Sequence, residues 1–557
     1  MEILQVKNLS FAYAGTKKNV LEGLNMSIEN GSFNLVFGES GCGKSTLFRL
    51  CKREISPAGK KSGAVLYNGK DIAETEQKTS ACKIGFVGQN PDEQIVTDRV
   101  WHELAFGLEN LGLESSRIKR RVAEMSGYFG INEWYHKKTD ELSGGQKQIL
   151  NLASVMVMQP DILILDEPTS QLDPIAASDF IGTLKKLNND FGLTVLISEH
   201  RIEEIFPIAD KVFAMEKGRI ILCGTSESVC KKLRGHTLEM SLPAPSRVWS
   251  RLGIDCECPL TVKDGRKLLY KYYYDKLGSE VSVLCKCDCG SKTSAIEVRG
   301  IFFRYEKNSS DILENMSFTV KKGEIFSILG GNGCGKTTTL NIISGLDIPY
   351  KGFVKIMGKK IKAYKNNSLY RNMLAYLPQN PVSMFVRTTV REDLADILTA
   401  LDVPQNEHNS YITDISEKIG ISDFLDRHPC DLSGGEIQKC AIAKILLTNP
   451  QIILLDEPTK GMDAFYKNNL LKLMKNLKQE GKTMVMVTHD TEFSAEASDR
   501  CSLLFDGEII SSENPNEFFS ENSFYTTSAG RMSRDFFKNA VLCSEIIRLC
   551  SGQEVLF

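Results

Sequence analysis

Apolar positions along this chain occur in short runs. Residues 33–37 and 325–329 are brief apolar segments, and residues 162–165 and 452–455 are continuous apolar runs. Runs of this length are typical of strands that are buried on both faces of a parallel sheet. The pattern therefore predicts an α/β fold with a mainly parallel sheet.

The same alternation of strand and helix is found in both halves of the chain. The segments 33–37 and 325–329 lead directly into glycine-rich loops, after which helices are predicted at 46–51 and 338–344. Further strands are predicted at 195–198 and 484–488.

Neither a membrane span nor an export signal is predicted. No apolar run approaches the roughly 18 residues that a spanning helix needs. The N-terminus, residues 1–7, alternates like a strand and has no apolar signal-peptide core. We expect a cytoplasmic protein that, if it serves transport, lies peripherally at the cytoplasmic face of the cell membrane while another chain forms the pore.

Three motifs occur twice. They are Gly-Glu-Ser-Gly-Cys-Gly-Lys-Ser and Gly-Gly-Asn-Gly-Cys-Gly-Lys-Thr, Leu-Ser-Gly-Gly-Gln and Leu-Ser-Gly-Gly-Glu, and Ile-Leu-Asp-Glu-Pro-Thr and Leu-Leu-Asp-Glu-Pro-Thr. Their offsets of 292, 290 and 290 residues indicate one duplicated domain. The predicted organisation is a first domain at 1–236, a connector at 237–295, a second domain at 296–526 and a tail at 527–557.

The first motif pair has the pattern of a P-loop, Gly-x4-Gly-Lys-Ser/Thr between a strand and a helix. Its backbone N–H groups and the helix N-terminus would face phosphates, its lysine would hold the β- and γ-phosphates, and Ser45 and Thr337 would bind Mg2+. A chance glycine turn is the alternative, which the correct flanking elements in both copies disfavour. The predicted ATP-binding residues here are Gly38, Gly41, Gly43, Lys44, Ser45 and Thr46, with Gly330, Gly333, Gly335, Lys336, Thr337 and Thr338.

Paired carboxylates end two of the predicted buried strands. Asp166 and Asp456 suit Mg2+ coordination. The following Glu167 and Glu457 are the predicted catalytic carboxylates that orient and polarise an attacking water. Two acidic helix caps are the alternative interpretation.

The signature Leu-Ser-Gly-Gly-Gln between a P-loop and Ile-Leu-Asp-Glu-Pro-Thr resembles the ATP-binding cassette ATPases, over most of the chain. The resemblance implies two tandem P-loop NTPase cassettes, each with an antiparallel β subdomain and a helical signature subdomain. It implies adenine stacking on an aromatic residue, a glutamine that touches Mg2+ and senses a membrane partner, a switch histidine on the γ-phosphate, and an aspartate that communicates between cassettes. The matching residues are Tyr13 and Tyr305, Gln89 and Gln379, His200 and His489, and Asp173 and Asp463.

The resemblance also implies that the two cassettes pair head to tail within the chain, so that each ATP lies between one P-loop and the other signature. The implied signature contacts are Ser143, Gly144, Gly145 and Gln146, with Ser433, Gly434, Gly435 and Glu436. Both sites retain lysine, glutamate and histidine, so we predict two hydrolytic sites. Glu436 in place of glutamine, and Ile149 where the second copy has Lys439, put equal rates in doubt.

Three classes of protein have twin cassettes without a membrane-spanning segment: importer motors, ribosome-associated ATPases and DNA-repair ATPases. The ribosomal class has a basic helical connector, whereas this connector is interrupted by proline and glycine and is not predicted to be a basic helix. The repair class carries large insertions for which there is no room. The net charge of −2 also gives no electrostatic case for nucleic-acid binding.

Four segments favour the importer class. Residues 88–94 and 100–107 are similar to the ATPases of energy-coupling-factor importers for vitamins and metal ions, and residues 259–266 and 523–529 are similar to their fused form. This resemblance implies a transmembrane coupling subunit and a small substrate-binding membrane subunit as partners, with ATP and Mg2+ as cofactors. It leaves the solute open.

Five of the sixteen cysteines crowd the connector: Cys256, Cys258, Cys285, Cys287 and Cys289. The last three alternate and could bind a soft metal, but the spacing differs from usual zinc sites, so packing on a half-buried strand is preferred. Cys42 and Cys334 lie inside the P-loops and would be sensitive to oxidation only if exposed.

Overall fold

The computed structural model describes residues 2–16, 18–281, 293–364 and 368–552. The chain divides into two compact units, Met1–Thr261 and Val262–Phe557, and the division falls inside the predicted connector. Among the described residues, no helix is long and apolar enough to cross a membrane.

The first unit contains ten strands and eight α-helices among its described residues. The strands are β1 (Glu2–Tyr13), β2 (Leu21–Glu29), β3 (Phe33–Gly38), β4 (Gly59–Tyr67), β5 (Lys70–Asp71), β6 (Ile84–Val87), β7 (Ile162–Asp166), β8 (Thr194–Ser198), β9 (Lys211–Glu216) and β10 (Arg219–Gly224). The helices are α1 (Lys44–Leu50), α2 (Gln77–Lys83), α3 (Val100–Asn110), α4 (Ser115–Tyr128), α5 (Gly144–Met156), α6 (Pro174–Phe191), α7 (Ser226–Lys232) and α8 (Ala244–Leu252).

The second unit repeats this arrangement and adds helices at both ends. Its strands are β11 (Ser294–Phe303), β12 (Leu313–Lys321), β13 (Ile325–Leu329), β14 (Lys351–Ile356), β15 (Lys359–Lys360), β16 (Leu374–Leu377), β17 (Ile452–Asp456), β18 (Thr483–Val487), β19 (Arg500–Phe505) and β20 (Glu508–Glu513). Its helices are α9 (Val262–Tyr272), α10 (Lys336–Ser344), α11 (Val390–Ala400), α12 (His408–Ile419), α13 (Gly434–Leu446), α14 (Ala464–Gln479), α15 (Thr491–Ala497), α16 (Pro515–Glu521), α17 (Ser528–Ser533) and α18 (Cys543–Ser551).

Each unit has one mainly parallel sheet and one antiparallel sheet. The six-stranded orders are β10-β9-β3-β8-β7-β6 and β16-β17-β18-β13-β19-β20, and only the outer pairs β9–β10 and β19–β20 are antiparallel. The four-stranded antiparallel orders are β2-β1-β4-β5 and β12-β11-β14-β15. The predicted fold class is confirmed, with a helical subdomain, α3–α5 or α11–α13, in each unit.

The P-loop helix lies in the core between the two sheets. Leu47 and Phe48 of α1 share one buried cluster with Leu4 of the antiparallel sheet and Ile164 of the parallel sheet. The predicted helix at 46–51 begins two residues earlier, at Lys44, because Gly43 takes a left-handed conformation (φ 103°) and acts as the N-cap. The packing therefore fixes the loop relative to both sheets.

The connector departs from one prediction. It does contain a short basic helix, since α9 carries Lys263, Arg266, Lys267 and Lys271. The residues that interrupt the connector all precede Val262, so they do not break this helix. They are Pro243, Pro245, Gly253 and Pro259. Its Arg266 guanidinium donates to the Arg531 carbonyl at 2.9 and 2.7 Å, which ties α9 to α17 of the same unit.

Candidate functional site

The predicted site residues follow three neighbouring strands of each parallel sheet. The P-loop follows β3, the Asp-Glu pair ends β7, and His200 comes just after β8. Because parallel strands end at the same edge of a sheet, these groups converge where ligands bind in open α/β folds. The second unit brings its three motifs together after β13, β17 and β18.

The P-loop lysines are held by their own loops. Lys44 Nζ donates to the carbonyls of Gly38 and Glu39 at 3.0 and 3.1 Å. Lys336 Nζ does the same to Gly330 and Gly331 at 3.0 and 2.9 Å. Both lysines are buried, so their charge is concentrated beside the loop that would cradle phosphates.

Glu167 is the centre of the first unit's site. Its Oε1 lies 2.8 Å from His200 Nε2 and 3.8 Å from Lys44 Nζ, while Oε2 accepts from Gln89 Nε2 at 3.2 Å. Burial raises the pKa of Glu167, but the adjacent His200 and Lys44 outweigh it and leave the pKa below its ordinary value. The carboxylate is therefore ionised, as a group that polarises water must be.

The second unit uses the other ring nitrogen of its histidine. His489 Nδ1 lies 2.9 Å from Glu457 Oε1, and the buried Nε2 has no hydrogen-bond partner among the described residues. A buried, unpartnered nitrogen is costly unless a ligand satisfies it. A phosphate oxygen is the ligand that fits a site beside Lys336.

Both catalytic candidates have unusual backbone. Glu167 and Glu457 take φ values of 48° and 49°, in the left-handed region that non-glycine residues rarely occupy. Such strain is retained mainly where function requires it. Both units therefore build the turn after the strand with the same backbone conformation at the motif glutamate.

The neighbouring aspartates have the chemistry of a cation site. Asp166 Oδ1 accepts from Ser198 Oγ at 2.8 Å, whereas Asp456 Oδ1 is buried without a partner among the described residues. Burial raises the pKa of Asp456 to about 6, although the nearby Thr337 hydroxyl lowers it. A carboxylate and a hydroxyl oxygen suit Mg2+, so Thr337 and Asp456 fit that ion.

The aromatic candidates lie against the P-loop helices. The Tyr13 hydroxyl is 2.9 Å from Thr46 Oγ1, and the Tyr305 hydroxyl is 3.2 Å from Thr338 Oγ1. Tyr305 is 59% exposed, so its ring has a free face for a base.

Gln379, unlike Gln89, makes no side-chain hydrogen bond within the described part of the chain.

The signature residues begin helices α5 and α13. Ser143 and Gln146 form a reciprocal capping box, with distances of 3.0 and 3.3 Å. In the second unit, Glu436 Oε2 accepts from both the backbone N–H and the hydroxyl of Ser433, each at 2.8 Å. The glutamate therefore caps its own helix, a role it shares with glutamine.

The second departure, Lys439 where the first unit has Ile149, is accompanied by a change in a neighbouring residue. The Lys439 ammonium lies 4.2 Å from the centre of the Tyr466 ring, a cation–π contact. At the same offset, the first unit has Ile149 and Ala176.

Asp173 and Asp463 cap α6 and α14, accepting from backbone N–H groups at 2.8 and 2.7 Å.

Sequence reasoning missed a carboxylate that supports each glutamine loop. Glu103 Oε2 accepts from the backbone N–H groups of Val96 and Thr97 at 3.1 and 2.8 Å. Asp393 accepts in the same way from Val386 and Arg387 at 3.2 and 3.1 Å. An acidic residue in the first turn of the helix after the glutamine loop was the available signal.

A second missed residue belongs to the first unit alone. Glu199, directly before His200, is buried, and its Oε1 accepts from the Thr169 backbone and hydroxyl at 2.8 and 2.7 Å. The second unit has Thr488 at this position. The two sites are therefore not chemically identical.

The structure describes four of the seven cysteines that the sequence singled out. Cys42 is buried, and Cys334 is half-buried with its pKa raised by burial, so neither thiol is activated by exposure. Cys256 and Cys258 belong to no group of three metal-binding side chains in the described ranges. Cys285, Cys287 and Cys289 lie outside the described residues.

Comparisons with known proteins found a matching family profile and similar chains. The family profile described as ABC transporter matches residues 21–170 and 313–460. A protein of Bacillus thuringiensis subsp. konkukian named as an ABC transporter ATP-binding protein is 38% identical over 98% of both chains. One of Methanosarcina mazei with the same description is 32% identical over 91% of this chain and 88% of its own.

One solved structure is also similar, that of cbiO1 from Clostridium perfringens, described as part of the ABC transporter complex cbiONQ. It is 33% identical, covers 43% of this chain and 97% of its own, and has a TM-score of 0.38. At that score the match adds nothing to the family assignment.

Proposed function

This chain belongs to the ATP-binding proteins of ABC transporters, and we propose that it powers an importer of the energy-coupling-factor type, for a vitamin or a metal ion. As a member of that family it binds ATP and is an ATPase. The importer type rests on the sequence segments 88–94, 100–107, 259–266 and 523–529 and on a surface feature that both units share.

That feature is an exposed valine after each Gln-Asn-Pro segment. Val96 is 68% exposed and Val386 is 85% exposed, and they are separated by the repeat offset of 290 residues. Trp101 and Val382 add exposed apolar surface at 39% and 41%. Apolar groups displayed in water at equivalent places in two copies suit docking of a partner's apolar helix.

The valines are displayed on a supported backbone. Glu103 and Asp393 accept from the N–H groups of the valines themselves, as described above. Asp393 is in turn paired with the buried Lys444 Nζ at 2.8 Å. A preorganised loop loses less conformational entropy when a partner binds, so this support favours a docking role.

The importer proposal is tested by measuring whether the chain stays in the membrane fraction of its host. Val96→Asp and Val386→Asp are expected to move the chain from the membrane fraction of its host to the supernatant, while nucleotide binding is unchanged. Ile221→Asp and Ile510→Asp, at exposed positions on the edge strands β10 and β20, are the matched controls and should stay with membranes. Wild-type chain found with ribosomes instead would refute the importer proposal and favour a translation role.

We further propose that the two cassettes pair within the chain and share both ATP sites. The first P-loop, Asp166, Glu167 and His200 would act with the signature at 433–436, and the second set with the signature at 143–146. A γ-phosphate needs donors on several sides in the transition state, and a signature from the other cassette would supply them on the side opposite the P-loop. When bound, Mg2+ would be held by Ser45 with Asp166 and Gln89, and by Thr337 with Asp456 and Gln379, and would neutralise phosphate charge.

Single-turnover hydrolysis tests this assignment. Glu167→Gln and Glu457→Gln are each expected to slow hydrolysis at one site by about 100-fold or more, since each removes a group that polarises water. Wild-type turnover in either variant would refute the prediction of two hydrolytic sites. Ser143→Ala and Ser433→Ala should each weaken the site whose P-loop lies in the other cassette.

A further inference from the structure

A tyrosine near the C-terminal end of the second cassette lies beside that cassette's P-loop. A β-carbon placed on Gly331 would be 3.5 Å from the Tyr525 hydroxyl oxygen. The Gly331 carbonyl is one of the two that accept from Lys336 Nζ, at 2.9 Å. The Tyr525 hydroxyl therefore lies beside the part of the loop that holds the phosphate-binding lysine.

The segment that carries Tyr525 is anchored on both sides. The Thr527 hydroxyl donates to the Val541 carbonyl, and Arg531 donates to the Phe524 carbonyl at 3.2 Å. The Ser528 backbone N–H donates to Glu492 Oε1 at 2.7 Å. Glu492 lies three residues after the switch histidine, so the anchor reaches the helix that begins just beyond His489.

The first unit has an equivalent anchor, but its sequence has different residues at the positions that correspond to Tyr525 and Gly331. Its Glu203, three residues after His200, accepts from the Ala244 backbone N–H at 3.3 Å. Counting back from this anchor places Ser241 at the position of Tyr525, and the P-loop has Glu39 at the position of Gly331. By this count, tyrosine and glycine in the second unit correspond to serine and glutamate in the first.

The backbone does not explain the glycine. Gly331 lacks the positive φ found at Gly333 and Gly335, so a side chain is conformationally permitted there. What a long side chain would meet is the Tyr525 hydroxyl. A β-carbon would fit at ordinary contact distance, so only a side chain longer than alanine would collide with the tyrosine.

We propose that Tyr525 is a positioning residue of the second P-loop. It holds the segment Gly330–Gly331, and through it Lys336, in the arrangement that binds ATP. Its anchor on Glu492 links that loop to the helix after His489. The first P-loop has Glu39 where the second has Gly331, so the two loops are not supported in the same way.

The test measures ATP affinity of the second cassette in the full chain, with Lys44→Ala silencing the first P-loop and a fluorescent ATP analogue as the probe. Tyr525→Ser is expected to weaken binding about fivefold, because only the fraction of loops in the competent arrangement binds. Phe524→Ala changes a side chain that is 84% exposed and should leave affinity unchanged. Unchanged affinity in Tyr525→Ser would overturn the proposal.

A double-mutant cycle separates positioning from general stability. Gly331→Ala should be tolerated, since a contact of 3.5 Å is ordinary, whereas Gly331→Glu should weaken binding about tenfold or more through collision with the tyrosine. Combining Gly331→Glu with Tyr525→Ser recreates the Glu39 and Ser241 pair and should restore affinity to that of Tyr525→Ser alone. If the double variant loses affinity by the product of the single losses, Tyr525 does not act on Gly331 and the proposal fails.

Discussion

Replacing Glu199 by glutamine should stabilise the first unit, and more so as the pH rises. Burial raises the pKa of Glu199 from 4.5 to about 7, even though the two hydrogen bonds from Thr169 lower it. A glutamine side-chain oxygen can accept both of those bonds. The substitution therefore removes the charge while the contacts stay in place.

The sign of the effect follows from the raised pKa. Below pH 4.5 the carboxyl is protonated in both folded and unfolded chains, and its contribution to stability is fully present. As the pH rises through 7 the folded chain must hold a buried carboxylate, and that contribution is lost. Between pH 5 and pH 8, the stability difference between Glu199→Gln and wild type should grow by about 2–3 kcal/mol.

The chain offers a selective probe for this measurement. All three tryptophans, Trp101, Trp134 and Trp249, belong to the first unit, so tryptophan fluorescence during urea unfolding follows that unit in the intact protein. Glu227→Gln, at an exposed position of α7, is the control, and its effect should stay within about 0.5 kcal/mol at every pH. A difference for Glu199→Gln that does not change with pH would refute the reasoning.

Three further outcomes are expected. Lys444→Met should cost about 3–5 kcal/mol in thermal unfolding, because it leaves the Asp393 carboxylate buried without its cation, and adding Asp393→Leu should recover only part of the loss, because two backbone N–H groups then lose their acceptor. Glu103→Ala should destabilise the first unit by about 1–3 kcal/mol, measured by tryptophan fluorescence, because two backbone N–H groups of the glutamine loop lose their acceptor. With iodoacetamide at pH 8 and mass spectrometry, the exposed Cys430 should be alkylated well before Cys334, whose burial raises its pKa, and equal rates would contradict the burial argument.

The motif residues were predictable because their chemistry depends on local order along the chain. A P-loop needs glycines at fixed spacing so that its backbone can approach phosphates, and Lys44 must follow them directly. The carboxylate pair at 166–167 and His200 each end or follow an apolar strand, so the parallel sheet brings them to one edge. Glu436, a departure that puts equal rates in doubt, also caps its helix, a role that the Ser-x-x-Glu pattern encodes.

The sequence by itself determined the duplication, the α/β class and the residues predicted to bind ATP, since these depend on periodicity and on spacing within a few residues. Only the tertiary structure decided which ring nitrogen of His200 and of His489 meets its glutamate, that Glu199 is buried against Thr169, and that Tyr525 lies against Gly331. These features join residues that are distant along the chain. Such contacts depend on how packed elements bring side chains together, and no local pattern records that.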